Sequence, residues 1–84
     1  MYLLRFKTGS EITPHIDKVT SGKHYRLNIV LKPAKLGGEF VCINPIYETK
    51  LIKFFRPDIS VHSVTKVIIG TRYLVSLGWI KNEY

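Results

Sequence analysis

The sequence predicts an all-β fold, on three observations. Short runs of aliphatic, β-branched and aromatic residues recur along the chain, each bounded by Gly, Pro, Asn or Asp. They return roughly every ten residues, the rhythm of a sandwich or barrel. No segment sustains the 3.6-residue period of an amphipathic helix.

In order, Y-L-L-R-F over residues 2–6 is the first run, closed by T-G-S-E. I-T-P-H-I-D over 12–17 reads as extended, because Pro14 fixes a strand-compatible φ and biases Thr13 the same way. K-V-T-S-G-K-H-Y-R-L over 18–27 has room for one helical turn at most, since Val19, Thr20, Ser21 and Gly22 are weak helix formers. H-Y-R-L-N-I-V-L-K over 24–32 is a strand that stops at Pro33. A-K-L-G-G over 34–38 reads as a turn in which Gly37 and Gly38 take positive φ. E-F-V-C-I over 39–43 ends at Asn44-Pro45, and K-L-I-K-F-F over 50–55 ends at R-P-D. S-V-H-S-V-T-K-V-I-I over 60–69 and R-Y-L-V-S-L-G-W-I over 72–80 follow, separated by Gly70-Thr71. Seven or eight strands in one domain spanning 1–84 are most simply arranged as a minimal jelly-roll or cupin-like double-stranded β-helix, with little or no helix.

The chain has 84 residues and is strongly basic, with 13 Lys+Arg against 6 Asp+Glu and a net charge of +7. Such an excess favours nucleic acid, anionic metabolites or acidic protein surfaces, and equally describes a solvated surface. Cys42 is alone, so an intrachain disulfide is excluded, and in E-F-V-C-I-N it reads as a small buried apolar residue. No apolar run approaches the ~18 residues of a membrane span, and the start, M-Y-L-L-R-F-K, is too short for a signal peptide. The expected setting is soluble and cytoplasmic. Tyr25, Phe40, Phe54, Phe55 and Trp79 are candidate core aromatics, and His24 is expected at the surface.

One constellation carries chemistry. In a strand, residues i and i+2 face the same way, so His15 and Asp17 point to one side. An imidazole and a carboxylate together offer two ligands to a divalent metal. His62 is the best third ligand, and two histidines plus one carboxylate make the facial triad of non-haem Fe(II) chemistry. A tetrahedral zinc site would use similar ligands. Taken singly, Asp17 reads as a turn residue, His15 as a surface histidine, His62 as a satisfied strand residue and Arg72 as a surface cation.

The ordered set His15, Asp17, Gly37-Gly38, Phe55, Pro57, His62, Val64, Gly70, Arg72 and Trp79 resembles the iron(II)- and 2-oxoglutarate-dependent oxygenases. The most similar group is the prolyl-hydroxylase-like one, common in bacteria and phages, so for a phage protein the cytoplasm is the host's. The resemblance runs from about residue 11 to 80. It implies that His15, Asp17 and His62 ligate iron and form the catalytic centre. It implies that Arg72 grips the far carboxylate of 2-oxoglutarate, which suits a planar, always-charged guanidinium. The metal, Asp17, the cosubstrate and Arg72 then sum to zero charge. Ser76 shares the Arg72 face of its strand and is assigned to the same carboxylate. Asn28 shares a face with Arg26 and Val30 and joins the cosubstrate pocket. The implied activity is O2-dependent C–H hydroxylation coupled to decarboxylation of 2-oxoglutarate to succinate. The substrate is a protein side chain, a nucleic acid or a small molecule. Members are usually longer, with helices and loops that cover the substrate. Here a homo-oligomer or a partner protein would complete that part.

Two alternatives stand beside this one. A small basic β-barrel could bind nucleic acid or protein with its metal site degenerate. A cupin-like metal protein could work without 2-oxoglutarate, and Arg72 would then be irrelevant to metal binding.

Overall fold

The computed structural model describes residues 1–82. Among them are ten strands and no helix: β1 (Tyr2–Phe6), β2 (Ile12–His15), β3 (Lys23–Lys32), β4 (Leu36–Gly37), β5 (Phe40–Cys42), β6 (Tyr47–Glu48), β7 (Ile52–Phe55), β8 (His62–Val64), β9 (Val67–Ile69) and β10 (Arg72–Lys81). They form three antiparallel sheets. The largest runs β1-β10-β3-β7-β6, the second β2-β8-β5, and the third is the pair β4-β9. The chain passes repeatedly from one sheet to another, so neighbours in a sheet are seldom neighbours in sequence.

The spine is the ladder between β3 and β10, which runs from Tyr73↔Lys32 to Lys81↔Lys23. Strand alternation sorts its side chains. Arg72, Leu74 and Ser76 of β10, with Asn28 and Val30 of β3, are buried on the inner face. Tyr73, Val75 and Leu77 are half-buried on the outer face. The inner face meets the second sheet through Phe55 of β7, whose ring lies 4.9 Å from Phe40 of β5 and 5.1 Å from His62 of β8. Phe55 is 1% exposed, and with Val30, Val64, Val67 and Leu74 it makes a small core. Full burial of one such side chain stabilises by ~1.5–3 kcal/mol.

The structure corrects several expectations. A-K-L-G-G is not only a turn, because Leu36–Gly37 pairs with β9. The run over 60–69 divides into β8 and β9, since Thr65 and Lys66 break the ladder and β9 turns to a different partner. No helical turn forms in residues 18–27, where β3 begins at Lys23. Trp79 is 45% exposed, and Tyr25 and Phe54 are only half-buried. Parity explains this: Arg72 and Trp79 are an odd number of residues apart on one strand, so an inward Arg72 sends Trp79 outward. Tyr25, Phe54 and Trp79 instead cluster on the outer face, with centroids 5.9–6.0 Å apart. Cys42 is half-buried rather than buried, and burial raises its thiol pKa. His24 is likewise half-buried rather than on the surface.

Two glycines differ in a way that can be measured. Gly9 and Gly37 both have positive φ, +90° and +75°. A Cβ on Gly9 would meet nothing within 4 Å, whereas one on Gly37 would strike the Lys66 carbonyl oxygen. Gly9→Ala is expected to cost only the left-handed backbone term, ~1–2 kcal/mol. Gly37→Ala is expected to cost clearly more, because β9 must move off β4; urea unfolding of both variants compares them.

Candidate metal centre

His15, Asp17 and His62 converge, although the third lies far from the first two in sequence. The β2–β8 register brings this about, because His15 and His62 are cross-strand partners. Asp17 follows β2 and is fixed from the other side, its backbone N–H donating to the Pro57 carbonyl at 2.7 Å. One ligand atom from each residue lies within 4.8 Å of the others.

Backbone carbonyls orient both rings. His15 Nδ1 donates to the Thr13 carbonyl at 2.7 Å, and His62 Nδ1 donates to the Ser60 carbonyl at 2.8 Å. A carbonyl can only accept, so each Nδ1 carries a proton and Nε2 is the ring atom turned toward the site. Both Nε2 atoms face one carboxylate: His15 Nε2 is 3.3 Å from Asp17 Oδ1, and His62 Nε2 is 3.3 Å from Asp17 Oδ2. At this range a proton on Nε2 or a shared cation makes the contact attractive. Ligands at ~2.1 Å from a metal stand ~3.0 Å apart at octahedral angles and ~3.4 Å apart at tetrahedral ones. Each nitrogen–oxygen separation falls in this range, but the two involve different oxygens of Asp17, and one atom from each residue lies within 4.8 Å of the others, so a bound metal would draw the three groups together. His62 is buried and the Asp17 side chain is 50% exposed, which puts the triad at the rim of the interior.

A cavity of about 210 Å³ opens behind the triad, lined by His15, Asp17 and His62 at one side and by Asn28, Arg72 and Ser76 on the large sheet. This is below the ~300 Å³ lower bound for drug-sized sites and suits a small ligand. Arg72 is 3% exposed and has no acceptor or carboxylate partner among the described residues. Its one close neighbour of note is the Phe6 ring, 5.7 Å away. Burial lowers its pKa, but a guanidinium stays charged in proteins. Asn28 is also buried, and its Oδ1 has no hydrogen-bond partner. A buried, unpaired cation and an unused amide are costly to leave as they are. An anionic ligand such as a keto diacid would answer the charge of Arg72, while Asn28 Oδ1, an acceptor, calls for a donor such as a hydroxyl or a water. Arg72 also borders a second cavity of about 470 Å³, with Lys35, Lys50 and Glu39.

All six residues expected from the sequence therefore line one cavity. Ser76 departs in detail, because its Oγ accepts from Arg26 Nη1 at 2.7 Å rather than facing Arg72 alone. Sequence reasoning did not assign Arg26 to the site, although alternation already groups it with Asn28. It named the R-P-D turn but not its part in holding the Asp17 backbone through the Pro57 carbonyl. There Arg56 donates twice to Asp58, from Nε at 3.2 Å and Nη2 at 2.6 Å, beside the Pro57 carbonyl. Those hydrogen bonds hold the Asp58 carboxyl below the usual carboxylate range, against the opposing effect of burial. Comparison with protein-family models, curated proteins and solved structures finds no match for this chain.

Asp17→Ala is expected to weaken zinc or cobalt binding by more than the ~10–100-fold that loss of an outer-shell partner costs, read by calorimetric titration. The Asp58 pair predicts a pH effect. A carboxyl with a depressed folded pKa stabilises above its unfolded value and loses that contribution as pH falls through the folded one. Below about pH 4 the wild-type unfolding midpoint should therefore drop more steeply than that of Asp58→Asn.

Proposed function

We propose that this chain is an Fe(II)- and 2-oxoglutarate-dependent oxygenase, a hydroxylase built on a minimal double-stranded β-helix. The observation that carries the reading is a single small cavity with an imidazole–carboxylate–imidazole triad at its rim and a buried, unpartnered Arg72 in its wall. Strand order supports the fold assignment: β1-β10-β3-β7 and β2-β8-β5 form two sheets, and the chain mostly crosses from one sheet to another between successive strands, β6–β7 being the exception.

In this reading His15, Asp17 and His62 would hold the iron through two Nε2 atoms and one carboxylate oxygen. Arg72 would pair with the far carboxylate of 2-oxoglutarate, with Asn28 and the Ser76 hydroxyl beside it. When bound, iron, keto acid and O2 together supply the oxidant, and decarboxylation to succinate drives oxidation of a substrate C–H bond. The protein contributes orientation. The Nδ1 hydrogen bonds fix both imidazoles before metal arrives, and Phe40, Phe55 and Leu74 keep that part of the cavity dry. A cytoplasmic setting, and a second copy or partner that covers the open Asp17 side, belong to the same proposal.

A second reading rests on the outer-face Tyr25–Phe54–Trp79 cluster, with the Arg56 guanidinium 5.7 Å from the Tyr25 ring centroid, on a chain of charge +7. It makes the chain a basic binding module for nucleic acid or protein, with binding that survives metal removal and weakens steeply with salt.

The deciding measurement is an anaerobic visible spectrum of the protein with Fe(II) and 2-oxoglutarate. A weak metal-to-ligand charge-transfer band is expected, absent in Asp17→Ala. In Arg72→Gln the band should need ~10–100-fold more 2-oxoglutarate, in line with loss of one charge-assisted contact. A folded protein without the band, or a band indifferent to both substitutions, rules the oxygenase out.

A further inference from the structure

The cavity holds a second guanidinium. Arg26 of β3 lines the same space as the triad. Its Nη1 donates to Ser76 Oγ at 2.7 Å and its Nη2 to His24 Nε2 at 3.3 Å. Both acceptors are neutral, since burial and the adjacent Arg26 charge lower the His24 pKa from an ordinary 6.5. No carboxylate pairs with Arg26 among the described residues. A guanidinium has five N–H donors, so with two engaged three are left.

The position is built rather than incidental. Gly78 lies opposite Arg26 in the β3–β10 ladder. A Cβ on Gly78 would stand 2.8 Å from Arg26 Nη2, 3.0 Å from Cζ and 3.3 Å from Nη1. Three similar values mean that the guanidinium lies broadside against the bare Gly78 backbone. A side chain at 78 would push the guanidinium out of this position. The backbone covers one face of the group, while Ser76 and His24 hold its edge.

Charge then makes a demand. Leaving the two histidines aside, the charged side chains of the cavity are Asp17, Arg72 and Arg26, one negative and two positive. A divalent metal and a dianionic keto acid cancel each other. One positive charge is left over whether the cavity is empty or loaded. Unpaired charge in a partly buried site is unfavourable, and a guanidinium cannot shed its proton to escape it. We propose that the cavity takes a further anion at Arg26, and that the substrate of the site presents a carboxylate or phosphate to this guanidinium. Only the word substrate rests on the oxygenase reading; the anion site needs neither metal nor keto acid.

The test is a titration of ¹⁵N-labelled protein followed at the Arg26 Nε–Hε resonance. Inorganic phosphate and acetate are the probes, with chloride at equal ionic strength as the reference. The series is run on metal-free protein and repeated with zinc and 2-oxoglutarate bound. A saturable shift with phosphate or acetate, retained in the loaded protein, is the expected result. Arg26→Gln and Gly78→Ala should each weaken the apparent anion affinity at least fivefold, and Arg26→Lys should recover part of it. Zinc affinity should stay within twofold in all three variants. Three outcomes overturn the proposal: a response no different from chloride, a saturable response unchanged in Arg26→Gln, or a response abolished by 2-oxoglutarate, which would give Arg26 to the keto acid. Failure of zinc to bind wild-type protein would sink the oxygenase reading while the metal-free titration still decides the anion site.

Discussion

The β3–β10 ladder is the constraint on which the rest depends. Antiparallel pairing of two ten-residue strands fixes the face of every side chain they carry. A shift of one residue would turn Arg72, Ser76, Asn28 and Arg26 out to solvent and bring Trp79 and Tyr25 in. The apolar members of the inner set, Val30 and Leu74, hold the register, because their burial stabilises only one of the two choices. The polar members travel with them. Charged and hydroxylic side chains thus reach the interior at positions that hydrophobic burial enforces.

The second sheet solves a different problem, the convergence of groups distant in sequence. Opposition of His15 and His62 across β2–β8 sets the two imidazoles side by side, with ring centroids 4.3 Å apart. Each Nδ1 is tied to a carbonyl two residues earlier in its own segment, so the ring orientation is encoded locally. The Asp17 carboxylate spans the two Nε2 atoms. A cation shared among the three groups would draw them together. In so small a chain, whose core among the described residues rests on Val30, Phe55, Val64, Val67 and Leu74, a bound ligand would add materially to stability.

Electrostatics divides the cavity. Arg72 is deeply buried and unpaired, whereas Arg26 is half-buried and propped by Ser76, His24 and the Gly78 backbone. The triad offers a cation position and the two guanidiniums offer anion positions. This complementarity, rather than the overall charge of +7, is the informative electrostatic feature of the protein. The basic residues scattered over the surface are compatible with many partners.

Much of this was written in the sequence. Alternation of apolar and polar residues, with Gly and Pro punctuation, determined the strands: Tyr2–Phe6 matches its run residue for residue, and β3, β7 and β10 agree to within two residues. The i, i+2 spacing pointed to His15 and Asp17 together, although β2 ends at His15 and the Pro57 carbonyl, not strand pairing, holds Asp17, and parity joined Arg72 to Ser76. These are local properties, set by a two-residue repeat. The sequence left open which face of β3 turns inward, that the run over 60–69 would divide between two sheets, and that Trp79, Tyr25 and Phe54 lie outside the core. It gave no sign that Gly78 makes room for Arg26. Those features depend on pairing between distant segments and on which face meets the second sheet. A short-range pattern fixes a strand's two faces, but only packing against the rest of the chain decides which of them is the inside.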